Sequence, residues 1–396
     1  MKVNSNVTVL FTISLLFFIS ITAFDPFVSS FAAELELKPA LIGSIIGAAG
    51  LTSLFTRLPV GILSEVFFKR KLFIQLGLLL TIIAWTAAFL SPNAVTLYLA
   101  KITDGLTGST WVVYNVLFAS YFGLREAAKA VAVLSIASPA GSLIGVTIGG
   151  IVSNNYGYKY SFLVAIIAAV IAICLTLFLK EQPGPQNKPK YSPSILIEQI
   201  TDKKIWYLAI LTAITLMILY GTRDTFTPIV AKDLGANPFI IGWLSNTHLI
   251  LYGLATALCG PYFYKKLGLV NTAVVGAIMQ GLVAIAIPFA PSLMYLFMLQ
   301  AIMGFAFGMN YTVFTSLAIA NTIESKQSTR IGLFQSLYSL GQFFGPVIMG
   351  ILIQSFSREF SFLSIGLTSI IAAFVTLFLL KTPSVVKSEE KKIEVS

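Results

Sequence analysis

Charge is scarce in this chain. Of 396 residues only 11% are Asp, Glu, Lys or Arg, and histidine occurs once, as His248. A soluble domain carries roughly 25% charged residues, so a water-facing surface cannot be built from this composition. Cysteine is nearly absent too. Cys174 and Cys259 lie inside apolar runs, in no paired or metal-type spacing, and read as packing residues. No His-Glu-x-x-His, P-loop or Cys/His ligand spacing occurs. A membrane enzyme would therefore lack its nucleophile or metal, and neither catalytic residues nor metal ligands are expected.

What the chain has in abundance is apolar sequence, at 57% of all residues. One helix crossing the hydrocarbon needs about 20 mainly apolar residues. Broken at clusters of charge, Pro and Gly, the runs predict twelve transmembrane helices near 7–31, 40–66, 72–90, 95–121, 130–153, 161–180, 205–230, 239–263, 271–289, 293–320, 331–355 and 361–380. Met1 to Phe24 has features of a cleaved leader, with Ser30-Phe31-Ala32 as a cleavage-like site. Its apolar stretch is long enough to span, so it is expected to stay as the first helix.

The formal charge of +10 does not call for nucleic acid. With loops assigned alternately to two sides, one side collects Lys2, Lys69, Arg70, Lys71, Arg125, Lys129, Lys265, Lys266, Lys326, Arg330 and the bases of the linker and tail. The other side keeps only Lys38, Lys159, Lys232 and Arg358. By the positive-inside rule both termini are expected in the cytoplasm, in a multi-pass protein of the plasma membrane.

One long polar stretch, 181–204, carries Pro183, Pro185, Pro189 and Pro193 and reads as a cytoplasmic linker with one amphipathic turn near Ile195–Ile200. It separates an N-terminal six-helix bundle (1–180) from a C-terminal one (205–381), which a cytoplasmic tail (382–396) follows. The halves repeat each other. Asp25 pairs with Asp224, Phe27 with Phe226, Pro39 with Pro238 and Gly61 with Gly260, an offset of 199. Later the offset is 200, as Gly108 pairs with Gly308, Gly141 with Gly341, Gly145 with Gly345 and Pro183 with Pro383. Shared apolar bias does not produce Gly, Pro and Asp matches in one register, so duplication is the better explanation.

Two six-helix repeats joined by a central linker resemble the major facilitator superfamily of secondary transporters, whose halves rock around a midplane site. Gly61-Ile62-Leu63-Ser64-Glu65 followed by Lys69-Arg70-Lys71 is similar to the family's loop motif, with Glu65 for the usual Asp and Phe68 for a second Gly. There Gly allows close helix approach, the acid faces a helix N-terminus and the bases anchor the loop. In helix 4, Lys101 four residues before Gly105, with Gly108 beyond, is similar to a motif of proton-coupled exporters that usually carries Arg. In helix 5, Gly141 and Gly145 through Gly149 resemble the antiporter signature with Val146 in place of its Pro. Helix 11 has the fuller Gly341, Gly345-Pro346 and Gly350 pattern, so the motif follows the duplication as well as transport direction. Such glycines also permit tight helix packing in a membrane.

A charge at the bilayer centre costs about 2.5–3.5 kcal/mol on insertion scales, so it usually faces a wet cavity or a partner. Away from helix ends such residues are Asp25, Arg57, Lys101, Asp104, Arg223 and Asp224, with His248 on helix 8. In the family resembled, helices 1, 4, 7 and 10 line the cavity, and all of these charges but Arg57 fall on the first three. Helix 10 adds Asn310 and Tyr311. Lys101 and Asp104, three apart, share a helix face. Arg223 and Asp224 diverge by about 100° on a regular helix, so only one of them is expected to point squarely into the cavity. Arg57 reads as a structural ion-pair or gating residue and His248 as a packing residue.

Asp25 is expected to be the proton-coupling carboxylate, with Lys101 as the base that tunes it and Asp104 beside them. Burial and a nearby ammonium act oppositely on a carboxylate, so solute binding or rocking that separates the pair would switch protonation. Acids and bases together suit a charged or zwitterionic metabolite, a metal-chelating one included. Amphiphilic drugs fit as well, because Trp111, Tyr114, Tyr220 and Phe226 offer aromatic surface. The expected function is a proton-coupled exporter of a small organic solute by alternating access. The alternative is a proton-coupled importer of a small sugar or organic anion. No cofactor is expected beyond the proton gradient, and the implied partners are solute, protons and bilayer, without nucleic acid, for a monomer.

Overall fold

The computed structural model describes residues 5–67, 69–122, 126–181, 193–320, 322 and 324–380. The tail 382–396 and most of the linker lie outside these residues. Every regular element among them is a helix. The first half contains helix 1 (Ser5–Thr22 and Asp25–Glu34), helix 2 (Pro39–Phe67), helix 3 (Arg70–Leu90), helix 4 (Ala94–Ser109 and Trp111–Ser120), helix 5 (Ala127–Ser135 and Ala137–Tyr156) and helix 6 (Ser161–Thr176). A short linker helix (Pro193–Thr201) leads to the second half. There follow helix 7 (Lys203–Leu219, Tyr220–Phe226 and Thr227–Asp233), helix 8 (Pro238–Leu258 and Cys259–Phe263), helix 9 (Tyr264–Ala286), helix 10 (Leu293–Ile319), helix 11 (Glu324–Ser355) and helix 12 (Arg358–Leu380).

Ten described stretches are long and apolar enough to cross a membrane. The longest, Pro238–Phe289, is two helices joined at Gly268, whose φ of 76° is a left-handed conformation that a glycine adopts without strain. Helix 4, interrupted at Thr110, completes the twelve. Local chemistry sets several starts. Asn93 and Thr96 form a reciprocal capping box ahead of helix 4, and Asp202 caps helix 7 by accepting from the Lys204 N–H at 2.9 Å.

The chain divides into two units. One runs to Glu36 and takes in Ala48–Pro193 and Asn237–Trp243; the other takes in Leu37–Gly47, Ser194–Ala236 and the chain from Leu244 onward. In the first unit helix 1 packs on helices 5 and 6, and helix 3 on helices 4 and 6. In the second, helix 7 packs on helix 11, and helix 9 on helices 10 and 12. Each unit has its own apolar core, with Phe17, Leu78, Tyr114 and Phe118 in the first and Leu208, Ala273, Phe314 and Phe334 in the second.

Lipid tails are as apolar as these cores, so close backbone approach rather than water exclusion has to hold the helices together. Small residues provide that approach. A side chain at Gly141 would press on the Leu15 carbonyl at 2.6 Å, and one at Gly149 would overlap the Ala23 carbonyl. In the second unit, side chains at Gly341 and Gly345 would overlap the Ala213 and Met217 carbonyls. The antiporter-like glycines thus seat helix 1 on helix 5, and their repeats seat helix 7 on helix 11. Gly105 does the same for the Ala49 carbonyl of helix 2, whereas Gly108 has open space around it.

Candidate functional site

The interruption of helix 1 positions the first ionic centre. The chain leaves the helix at Ala23–Phe24, and Asp25 with Pro26 opens its second segment; proline suits this place because its missing N–H would have no helical partner there. From helix 4, Lys101 Nζ reaches Asp25 Oδ1 at 2.8 Å and lies 3.1 Å from Asp104 Oδ2. Trp85 of helix 3 donates its indole N–H to Asp104 Oδ1 at 2.8 Å. The Phe24 ring stacks on Trp85, with centroids 3.7 Å apart, and lies 5.4 Å from the ammonium.

The three charged side chains are unequally enclosed. Lys101 and Asp104 are 7% and 8% exposed, whereas Asp25 is 42% exposed. One ammonium thus serves two carboxylates, and when all are ionised the trio carries one net negative charge. Its open member is Asp25. Asp25 is thus the member of the trio that solvent reaches, while the Lys101–Asp104 contact is enclosed.

The second centre lies in the other unit. Arg223 Nη1 and Asp224 Oδ1 are 2.7 Å apart, with side chains 19% and 17% exposed. The two residues pair across successive positions of Tyr220–Phe226, which is π-helical. Its wider turn narrows the angle between neighbours, and such segments gather at functional sites. Thr225 marks it by donating to the Tyr220 carbonyl five residues back at 2.7 Å. Arg223 also reaches the Ser245 carbonyl at 3.4 Å. His248 on helix 8 is 2% exposed, its Nδ1 has no hydrogen-bond partner, and its ring lies 6.0 Å from that of Phe307.

The other sequence-selected residues divide between cores and partly open positions. Phe226 is 4% exposed and Asn310 is fully enclosed. Asn310 donates to Gln280 Oε1 at 3.3 Å, and Gln280 donates to the Thr215 carbonyl at 2.9 Å. Trp111 belongs to an aromatic cluster with Phe17, Phe18 and Tyr114. Tyr311 and Tyr338 place their hydroxyls 3.3 Å apart, and Tyr220 accepts from Gln342 at 3.2 Å. Arg57 is half-buried on helix 2.

In the loop motif, Gly61 makes ordinary contact with Val112, and Lys69 is exposed at the start of helix 3. Arg70 begins that helix, while the side chain of Glu65 lies outside the described residues. Lys71 shows what the basic run does: its N–H donates to Glu181 at 2.8 Å and its ammonium to the Leu179 carbonyl at 3.2 Å. Pro346 lies inside helix 11, one residue after the Gly345 contact.

Trp85 is the site residue that sequence patterning passes over. An indole in an apolar run reads as packing, yet a buried indole N–H usually finds an acceptor. A carboxylate on the adjoining helix was the signal available.

Ionic groups held within bundles of long apolar helices, on a duplicated six-helix plan, match the layout of the superfamily that the sequence resembles. The chain belongs to the Major Facilitator Superfamily, whose family model matches it twice, over residues 10–229 and 208–395. Among its relatives, "Multidrug resistance protein MdtG" of Enterobacter lignolyticus is 22% identical over 69% of this chain and 65% of the relative. "Multi-drug resistance efflux pump PmrA" of Streptococcus pneumoniae is 26% identical over 54% of this chain and 55% of the relative. The chain therefore spans less than two thirds of the length of either relative. Among solved structures, the nucleoside transporter NupG matches 96% of this chain and all of its own, with a TM-score of 0.76 at 16% identity. A bacterial homolog of the human lysosomal transporter Spinster matches 94% of this chain and 95% of its own, with a TM-score of 0.79 at 15% identity. These likenesses establish the fold, two bundles of six helices.

Proposed function

We propose that this transporter is a proton-coupled exporter of a small organic solute, either an amphiphilic drug or a charged or zwitterionic metabolite such as a metal chelator. The observation that carries the reading is the asymmetry of the first ionic centre: a buried ammonium shared by two carboxylates, of which Asp25 alone is substantially open. A proton on Asp25 cancels its charge, weakens its hold on Lys101 and leaves Lys101 paired with Asp104. The trio then goes from net negative to neutral, and its tie between helices 1 and 4 loosens. Loss of the proton restores the tie. Alternation between those states during rocking couples proton entry to solute exit, with Arg223, Asp224, Tyr220 and Tyr311 on the solute path. Two relatives named for multidrug resistance and efflux support the outward direction, and the basic loops support cytoplasmic termini.

The test uses vesicles containing the purified protein, ethidium as a first probe and an imposed pH gradient. Asp25→Asn should abolish gradient-driven ethidium accumulation while keeping ethidium exchange at equal pH. Full gradient-driven transport by Asp25→Asn would overturn the coupling role. Direction is read from solute content in deletion and overexpressing cells, with and without a protonophore. Higher content on overexpression would favour import.

A further inference from the structure

Outside the ionic centres, the most developed unassigned feature is a groove of about 130 Å³ between helices 7 and 12. Tyr207, Ile210 and Ile214 line one wall and Ile371, Val375 and Leu379 the other, so the surface is almost wholly apolar. Spacings of three and four residues along both helices make each wall a single stripe. One turn before Tyr207 the helix 7 stripe continues to Lys203, which is exposed, and Lys204 is half-exposed beside it. Lys203 and Lys204 thus stand one turn beyond the groove, at the end of helix 7 that adjoins the linker helix.

This end is built firmly. Trp206 and Tyr207 are 39% and 46% exposed, an aromatic pair of the kind that sits at headgroup level. The Trp206 indole donates to the Ile200 carbonyl at 2.8 Å. Buried Arg330 at the start of helix 11 holds the linker helix in place. It donates to Gln199 Oε1 at 2.7 Å and to the Ala318 carbonyl, and pairs with Asp202 Oδ2 at 2.7 Å. Asp202, with its other oxygen, caps helix 7 directly ahead of the lysines.

We propose that this groove is a binding site for an anionic phospholipid, one acyl chain lying between helices 7 and 12 and the phosphate resting on Lys203 and Lys204. The apolar walls accept any chain, and the two lysines select the headgroup. This assignment stands on surfaces of the second unit alone and does not depend on cargo or transport direction.

Quenching of Trp206 by lipids brominated near the glycerol end of the chain tests it. The protein is placed in phosphatidylcholine bilayers, and the Trp206 signal is taken as the difference between the native protein and Trp206→Phe. Brominated phosphatidylglycerol should reach half-maximal quenching at a mole fraction at least about fivefold below that of brominated phosphatidylcholine, since one lysine near a surface contributes that factor. Lys203→Gln with Lys204→Gln should bring the two curves together, and Lys203→Arg should keep them apart. Ala372→Phe, which fills the groove, should weaken quenching by both lipids. Equal quenching of the native protein by the two lipids would overturn the proposal, as would a preference that survives removal of both lysines. Unchanged phosphatidylglycerol quenching in Ala372→Phe would overturn the placement of the chain.

Discussion

The two ionic centres occupy matching places in a duplicated chain and are built differently. In the first unit Asp25, Lys101 and Trp85 come from helices 1, 4 and 3, so Asp25 finds its base on another helix. In the second, Asp224 takes its base from its own neighbour, Arg223. In the register of the Gly105 and Gly304 contacts, the position of Lys101 is occupied by Gln300 in the repeat, and that of Asp104 by Met303. The glycine contacts that seat helix 1 on helix 5 nevertheless recur between helices 7 and 11. Duplication has kept what packs and changed what is charged. The first centre pairs residues of different helices, whereas the second pairs neighbours on helix 7, from which Arg223 also reaches the Ser245 carbonyl of helix 8.

That difference can be broken by substitution. Lys101→Ala leaves the buried Asp104 carboxylate without its ammonium and should cost about 3–5 kcal/mol, read as lost thermal stability in detergent; Lys101→Arg should recover most of it. Trp85→Phe keeps the ring against Phe24 but removes a hydrogen bond to a charged acceptor, an expected loss of about 1.5–3 kcal/mol by the same measurement. Gly341→Ala forces a methyl onto the Ala213 carbonyl and should cost about 1–3 kcal/mol. Gly108→Ala, with open space around it, should stay within about 0.5 kcal/mol. Equal costs at these two glycines would show that packing does not explain the motif. Arg223→Gln removes the neighbouring base of a carboxylate that is 17% exposed and should lower stability by about 1–3 kcal/mol while impairing solute transport. A loss as large as that of Lys101→Ala would erase the distinction between the centres.

Much of this architecture is legible in the sequence because the bilayer allows few solutions. Backbone groups in hydrocarbon must satisfy one another, so apolar runs of spanning length become helices. Lys101 and Asp104 read correctly as neighbours, since three-residue spacing on a regular helix puts both on one face. The π segment that holds Arg223 and Asp224 is a departure from that regularity which their local sequence does not announce. The polar seam between helices 9 and 10 was hidden for another reason. Gly276 faces Asn310 as Gly77 faces Thr110, but Asn310 donates to Gln280, whereas Thr81, at the place of Gln280, bonds Thr107. Geometry is shared where identity is not, so residue matching finds only the glycine. The repeat register itself shifts for the same reason. Gly108 aligns with Gly308, yet Gly105 and Gly304 make the equivalent contacts, on Ala49 and His248.

The π segment of helix 7 records how its centre arose. Leu15 and Ile19 meet Gly141 and Gly145 as Ala213 and Met217 meet Gly341 and Gly345, a displacement of 198 on helices 1 and 7. By Asp25 and Asp224 it is 199. Helix 7 therefore carries one residue more than helix 1 over that interval, and the surplus falls where Tyr220–Phe226 widens. One surplus residue, absorbed as a bulge, leaves Asp224 beside a base of its own helix where Asp25 meets one from helix 4.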